Sequence, residues 1–417
     1  MATHNRWVIA AAGVVMQIAL GAVYAWSVFR IPLTKAFGWT ISEVTLTFTI
    51  AIFVLGLAAF GGGLWMRRAG PRTVALTAGV LYGLGVFLAS FAGGRLWWLY
   101  CSYGVIAGVG LGLGYIVPVA TLVKWFPDKR GLITGLAVAG FGAGALITAP
   151  IATRLIAEVG VLQTFAILGA AYFVAVTGGA LFMRNPPDGY QAPSARTYDP
   201  RATVPDTPTS PGSYVGDGLQ AVPRSLREAL HSWQWYALWT LLLLNTTAGI
   251  AVISQAAPMF QEITSISAAR AASIVGIISI ANGAGRLLWA WLSDLVGRRA
   301  VFLAMFLLQA IIFWLMPSAH GLSLFAALTV AVLLCYGGGF GTMPAFAADY
   351  FGAEHVGSIY GLMLTAWGVA GVLGPTLMAA LRERSGGYDQ GLRLIAGLML
   401  VSAIIPLLVR PPGPRSA

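Results

Sequence analysis

Charge is what this chain lacks most. Only 9% of its 417 residues are Asp, Glu, Lys or Arg, against about a quarter in a soluble domain. With 58% hydrophobic residues and a mean hydropathy of +0.79, a water-soluble globular fold is excluded. Acid is scarcest, 14 Asp and Glu against 25 Lys and Arg, and none of it lies deep inside an apolar run, where an intramembrane proton carrier would sit. The two cysteines, Cys101 and Cys335, fall far apart with spacing that suggests neither a disulfide nor a metal site. His4, His231, His320 and His355 are scattered over predicted membrane edges and loops and form no relay. No Walker loop is present, and no strand precedes Gly108, Gly110, Gly112 and Gly114, so these glycines read as close helix packing rather than a dinucleotide loop. Gly140 and Gly144 read the same way. Asn245-Thr246-Thr247 has the glycosylation pattern but lies inside an apolar run. No cofactor, metal or enzymatic chemistry is expected.

What is there is apolar sequence in lengths that cross a bilayer, roughly 17 to 25 residues. About twelve such runs fall near 7–29, 42–65, 73–92, 96–123, 131–156, 161–183, 233–257, 269–293, 300–317, 323–348, 357–381 and 391–409. They lack the short alternation of a membrane β-barrel, so the fold class is an all-α membrane protein with twelve transmembrane helices. The first run reads as a retained helix rather than a cleaved signal. Short cytoplasmic loops collect Lys and Arg. Arg6, the Arg67-Arg68-Arg72 group, Lys124, Lys129, Arg130, Arg298, Arg299, Arg410 and Arg415 therefore place both termini in the cytoplasm, across a plasma or bacterial inner membrane. The loop with Asp349, Glu354 and His355 breaks that rule. The +11 charge and pI of about 9.9 reflect topology, not nucleic acid. The partner is the lipid bilayer, and a monomer is expected.

Between Asn185 and Leu226 proline-rich sequence replaces the apolar runs. It divides the chain into an N-terminal six-helix bundle (1–184), a cytoplasmic linker (185–230) and a C-terminal six-helix bundle (231–417). Ser225 and Glu228 have capping-box spacing for a short helix leading into Trp233. The halves echo one another. Gly114, Tyr115, Pro118, Trp125-Phe126 and Gly131 are answered by Gly339, Phe340, Pro344, Tyr350-Phe351 and Gly357, and Arg67-Arg68-Ala69-Gly70-Pro71-Arg72 by Asp294-Leu295-Val296-Gly297-Arg298-Arg299. Two related halves rocking about a central site is how many secondary carriers alternate access.

Arg286 stands inside the apolar stretch Ile274 to Leu292 with no carboxylate beside it. An arginine at a helix centre costs about 2.5 to 3.5 kcal/mol on insertion scales and normally faces a cavity. Snorkelling belongs to helix ends. The polar flank at Ser293 and Asp294 begins about 10 to 12 Å further along the axis, so Arg286 reads as part of a substrate path, and a lone positive charge there predicts an anionic ligand.

The motif Ala290 to Arg299 resembles the loop signature of the major facilitator superfamily, and the resemblance covers nearly the whole chain. It implies two pseudo-symmetric six-helix bundles and a gating role for Asp294, Gly297, Arg298 and Arg299, which in that family latch helix ends together. The first half departs from the pattern, with Arg67 where the acid is expected. A narrower resemblance lies in Lys124-Trp125-Phe126-Pro127-Asp128-Lys129-Arg130-Gly131-Leu132, continued by Gly135 and Ala139-Gly140, and in Gly21, Tyr24, Ala25 and Trp26. These look like monocarboxylate transporters and bacterial oxalate/formate exchangers. The same resemblance makes Arg286, with Asn282 on the same helix face, the substrate-binding arginine, and places Tyr24, Tyr115, Tyr336, Phe340 and Tyr360 on cavity-lining helices.

Departures from those families bear on mechanism. Asn282 and Val28 stand where animal monocarboxylate transporters carry an aspartate and a lysine, and Ala366-Trp367-Gly368 where the oxalate exchanger carries a second cation. One arginine balances one carboxylate, since uncompensated buried charge costs several kcal/mol, and Trp367 is positioned to cap a pocket for a short alkyl tail. The sequence thus points to a secondary active transporter of small monocarboxylates of the lactate or pyruvate type. Coupling stays open between proton symport, with the proton on the substrate or on a rim acid such as Asp349, and exchange of one carboxylate for another. A non-transporting sensor on the same fold is a third reading.

Overall fold

A computed structural model describes residues 5–187, 189–190 and 223–412. Most of the proposed linker, together with His4 and Arg415, lies outside the described residues. Apolar sequence too long for one turn and too poor in acid for a soluble helix gives an all-helical chain. α1 (Arg6–Leu20) runs through a tightened turn at Gly21–Ala25 into α2 (Trp26–Phe37), and is followed by α3 (Ile41–Leu88), α4 (Leu96–Leu99), a wide turn at Tyr100–Ala107, α5 (Gly108–Trp125), α6 (Arg130–Val159) and α7 (Val161–Ala180). The second half comprises α8 (Leu226–Leu230), α9 (Trp233–Thr264), α10 (Ala268–Val296), α11 (Arg298–Leu315), α12 (Leu322–Phe351), α13 (Val356–Met363), α14 (Thr365–Ser385), α15 (Asp389–Ser402) and α16 (Ile404–Leu408).

Ten helical segments of the described residues are long and apolar enough to cross a bilayer. One of them, Glu43–Phe91, holds two apolar runs. Gly70, with φ 78° and ψ 164°, breaks its helix, and Pro71 restarts it. α10 carries the eighth run, which completes twelve crossings. The capping box anticipated before Trp233 is formed: Ser225 N–H donates to Glu228 Oε2 at 2.6 Å, and Glu228 N–H to Ser225 Oγ at 3.3 Å. The glycine string packs as its spacing implies, since a Cβ on Gly110 would stand 2.3 Å from the Tyr82 backbone nitrogen. Asn245 is buried, and its Nδ2 donates to the Cys335 and Tyr336 carbonyls at 3.2 and 3.3 Å. Both cysteines are free.

Arg6, Arg67, Lys124, Arg130, Arg298 and Arg299 gather on one face, which also carries both described chain ends. Arg6 pairs with Asp128 in the turn before α6 at 2.9 Å, and Arg299 donates to the Pro406 and Leu407 carbonyls of α16. The two bundles meet along α6 against α10 and α12, and α3 against α13 and α14.

Candidate substrate-binding site

Arg286 is fully buried where α6 and α10 cross. That crossing is close because glycines face each other: a Cβ on Gly142 would lie 2.8 Å from the Gly283 Cα. The approach brings the guanidinium across the bundle boundary. Nη1 donates to the Val138 carbonyl of α6 at 3.2 Å, Nη2 to the Tyr24 hydroxyl at 3.4 Å, and Nε to Asn282 Oδ1, one turn earlier on its own helix, at 3.4 Å. All three contacts are long for hydrogen bonds. Among the described residues no carboxylate pairs with Arg286. Its remaining neighbours are ring faces, Phe340 at 5.2 Å and Phe141 at 5.7 Å from the guanidinium carbon, within cation–π range.

The tightened turn at Gly21–Ala25 positions Tyr24. A Cβ on Gly21 would fall 1.8 Å from the Phe141 carbonyl oxygen, so only glycine lets the first helix lie this close to α6. Tyr24 then stands edge-on to Phe141 at 5.3 Å. Trp367, near the start of α14, fills the middle of the cluster, with ring centres 4.9 Å from Phe340, 6.1 Å from Tyr24, 6.2 Å from Phe141 and 6.3 Å from Tyr115. Tyr336 packs on Phe340 at 5.4 Å. The buried Tyr115 and Tyr360 hydroxyls lie against each other and form a hydrogen bond with no other described residue. The structure therefore brings together Arg286, Asn282, Tyr24, Tyr115, Tyr336, Phe340 and Trp367, with Tyr360 beside Tyr115. Sequence reasoning missed Phe141 and the Val138 carbonyl. Phe141 directly follows the Ala139-Gly140 pair of the α6 motif, an aromatic in a run of small residues, and that was its signal.

The motif after α10 forms a second charged centre, on the basic face. The first backbone N–H groups of a helix have no partner inside it. Lys129 supplies no side-chain cap to α6, and Asp294 of the other bundle takes that role. Its Oδ1 accepts from Gly131 N–H at 2.9 Å and its Oδ2 from Leu132 N–H at 2.7 Å. Arg298 pairs with Asp294 at 2.6 Å and donates to Asp349 Oδ2 at 2.9 Å, while Arg130 donates to Asp349 Oδ1 at 2.9 Å. Gly297, at φ 92°, makes the turn that lets Arg298 fold back. Arg299 stands apart from these carboxylates, on the α16 carbonyls. The acidic loop that breaks the charge rule is explained by the same contacts, since Asp349 binds arginines of both bundles.

At the corresponding place in the first half, α3 meets α13 by close backbone approach and by Met66 packed on Gly357, with no carboxylate cap. A Cβ on Gly63 would lie 2.0 Å from the Gly357 carbonyl oxygen, and no side chain caps α13 at His355. Arg67, where the acid is missing, is exposed. His355 has its imidazole held below the ordinary 6.5 by partial burial first, then by Arg67 and Lys124, with Glu354 opposing.

The family model described as Major Facilitator Superfamily matches residues 8–282 and, again, 239–417. The chain is 28% identical over 374 residues to the uncharacterized MFS-type transporter YhjX of Escherichia coli, covering 88% of this chain and 86% of that protein. It is 25% identical over 416 residues to the oxalate:formate antiporter of Oxalobacter formigenes, covering 98% and 93%, and 27% identical over 410 residues to human monocarboxylate transporter 11, covering 96% and 82%. The fold is that of the E. coli fucose:proton symporter FucP, with a TM-score of 0.70 at 14% identity over 97% of this chain and 99% of that one. The proton:xylose symporter XylE gives 0.71 at 13% over 96% and 94%. The two overlapping matches together span residues 8–417, and this chain belongs to the Major Facilitator Superfamily, as a multi-pass membrane transporter related to monocarboxylate transporters and to an oxalate:formate antiporter.

Proposed function

We propose that the protein carries small monocarboxylates of the lactate or pyruvate type by alternating access, with Arg286 as the carboxylate anchor. The observation that carries this reading is a fully buried arginine held at the bundle boundary only by neutral groups at 3.2 to 3.4 Å. A carboxylate offers that guanidinium two parallel charge-assisted hydrogen bonds, stronger than those to Val138 and Tyr24. Phe141, Phe340 and Trp367 enclose a short alkyl part, and the paired hydroxyls of Tyr115 and Tyr360 suit a keto or hydroxy oxygen. A second carboxylate would stay uncompensated, which disfavours oxalate.

Alternation follows from where the anchor sits. α6 and α10 carry both the Arg286–Val138 contact and the Asp294 latch, so a ligand that draws Arg286 off the α6 carbonyl acts on the helix pair the latch holds shut. In this reading residues 1–184 rock against residues 231–417 about the 185–230 linker. The basic face is cytoplasmic with both termini, and Asp294, Gly297, Arg298 and Arg299 form the gate on that side. With this gate closed, substrate enters from outside.

We assign the coupling to protons, carried on the substrate carboxyl or by Asp349, whose protonation would release Arg130 and Arg298 together. Exchange is the second reading, and it has one specific support: among the described residues an empty Arg286 has only dipoles and rings to balance it. Uptake of labelled lactate into proteoliposomes separates the two. Symport gives accumulation into empty vesicles under an inward proton gradient. Exchange gives uptake only when the vesicles are preloaded with carboxylate. No lactate uptake in either arm refutes the substrate assignment.

A further inference from the structure

Away from the transport path, the end of the first crossing within α3 presents an outward-facing groove of about 530 Å³ lined by Gly61, Leu64, Trp65, Arg67 and Arg68. All five are exposed, Leu64 and Trp65 at 39% each. A Cβ on Gly61 would meet nothing within 4 Å, so the floor is open. The opposite side of the same helix is buried, with Gly62 against Leu113 and Gly63 against Gly357. Neither Arg67 nor Arg68 makes a hydrogen bond or ion pair within the described residues. Lys124, close enough to interact with Arg67, is itself faced by Glu354, so the unpaired charges of the groove are the two guanidiniums.

We infer that this groove binds the headgroup of an anionic phospholipid. Trp65 sits just before the break at Gly70, where the helix leaves the bilayer, and tryptophan belongs at that boundary. Two guanidiniums without acids ask for a phosphate, and basic residues at the cytoplasmic boundary attract anionic lipids. Apolar Leu64, Trp65 and the open floor at Gly61 continue the site into the hydrocarbon, where an acyl chain covers them. A free phosphate would satisfy the arginines and leave that surface uncovered. The position has a consequence: Arg67 stands where the first-half motif lacks its acid, so a lipid phosphate in the groove supplies a negative charge beside Arg67. The assignment stands without the monocarboxylate reading.

The test uses the full chain purified in neutral detergent. Thermal unfolding midpoint and retained lipid by native mass spectrometry are read with phosphatidylglycerol, with phosphatidylcholine of the same acyl chains, and with glycerol 3-phosphate. Phosphatidylglycerol should raise the midpoint and be retained in preference to phosphatidylcholine, and glycerol 3-phosphate should do neither. R67Q/R68Q should lose the preference, and R154Q, which removes an exposed arginine elsewhere, should keep it. Should the double variant fail to fold, G61W decides, because it fills the groove and leaves both guanidiniums in place: it should lose the preference too. Equal stabilisation by phosphatidylcholine overturns the proposal, as does an undiminished preference in the folded double variant or in G61W. Stabilisation by glycerol 3-phosphate equal to that by phosphatidylglycerol overturns the lipid as occupant.

Discussion

Two arginines in the second half of this transporter, Arg286 fully buried and Arg298 partly so, are held in opposite ways. Arg298 meets two carboxylates, Asp294 at 2.6 Å and Asp349 at 2.9 Å. Arg286, on the helix just before it, meets a carbonyl, a hydroxyl, an amide and two ring faces. A charge satisfied by fixed acids is committed to one arrangement and serves closure. A charge held by weak neutral contacts keeps its strongest bond for something that arrives. The difference separates the latch from the candidate site without reference to any relative.

The largest effect expected from this contrast is at Arg286. R286A should abolish lactate binding and uptake in a folded protein, since removing one partner of a buried charged pair costs roughly 2 to 5 kcal/mol. R286K should also be badly impaired, because an ammonium cannot reproduce the planar fork. Lactate-induced thermal stabilisation that persists in R286A breaks the contrast at its root. Next comes the latch. D294N should open the basic face, read as increased labelling from that side of a cysteine introduced in place of Thr134, which is buried against Gly341 of α12. Hydrogen bonds to a charged group contribute about 1.5 to 3 kcal/mol, so the access equilibrium should shift roughly tenfold or more. Labelling equal to that with Asp294 in place would show that Asp294 does not hold this face closed.

Twelve apolar runs were readable because the bilayer sets their length. Their ends agree closely with the helices, as for 323–348 against Leu322–Phe351. Arg286 and Asn282 were readable because a charge in an apolar run has few explanations. The Val138 carbonyl was not, since every residue carries one and only the Gly142–Gly283 crossing selects it. Asp349 read only as an acid at the rim. Its partners, Arg130 and Arg298, lie on other helices, and which loops meet across the bundle boundary depends on the packing of both halves. Arg298 and Arg299 look interchangeable in the motif, but the turn at Gly297 directs one to the acids and the other to α16.

A smaller effect should sharpen the contrast on the site's own terms. Trp367, 4.9 Å from Phe340 in the ring cluster around Arg286, stands where a second cation would make the site divalent. W367K should raise oxalate binding relative to lactate, read as the ratio of their thermal-shift titrations. The lysine loses the ring contacts of Trp367, so absolute stability should fall even as that ratio rises. An unchanged ratio in a folded W367K protein, or a wild type that already prefers oxalate, would show that the count of cations does not set valence here.

The smallest effect concerns pH at the half of the gate that lacks a carboxylate. His355 lies half-buried at the start of α13, with its pKa lowered by burial and by Arg67 and Lys124, against Glu354, whose Oε1 is 3.6 Å from Nε2. A histidine whose pKa is depressed in one conformation binds protons more readily in the alternative one. The closed form is therefore at full strength above the ordinary imidazole value of 6.5 and weakens as pH falls through and below it. Protonation there adds a cation beside Arg67 and Lys124, with no acid of the Asp294 kind to absorb it. Accessibility of the basic face should thus rise modestly on acidification, and H355Q should flatten that dependence between about pH 7 and 5. D294N should leave the pH-dependent part in place while raising accessibility at every pH, because its contribution comes from the other half. A profile unchanged in H355Q would show that His355 does not carry the pH response of this face.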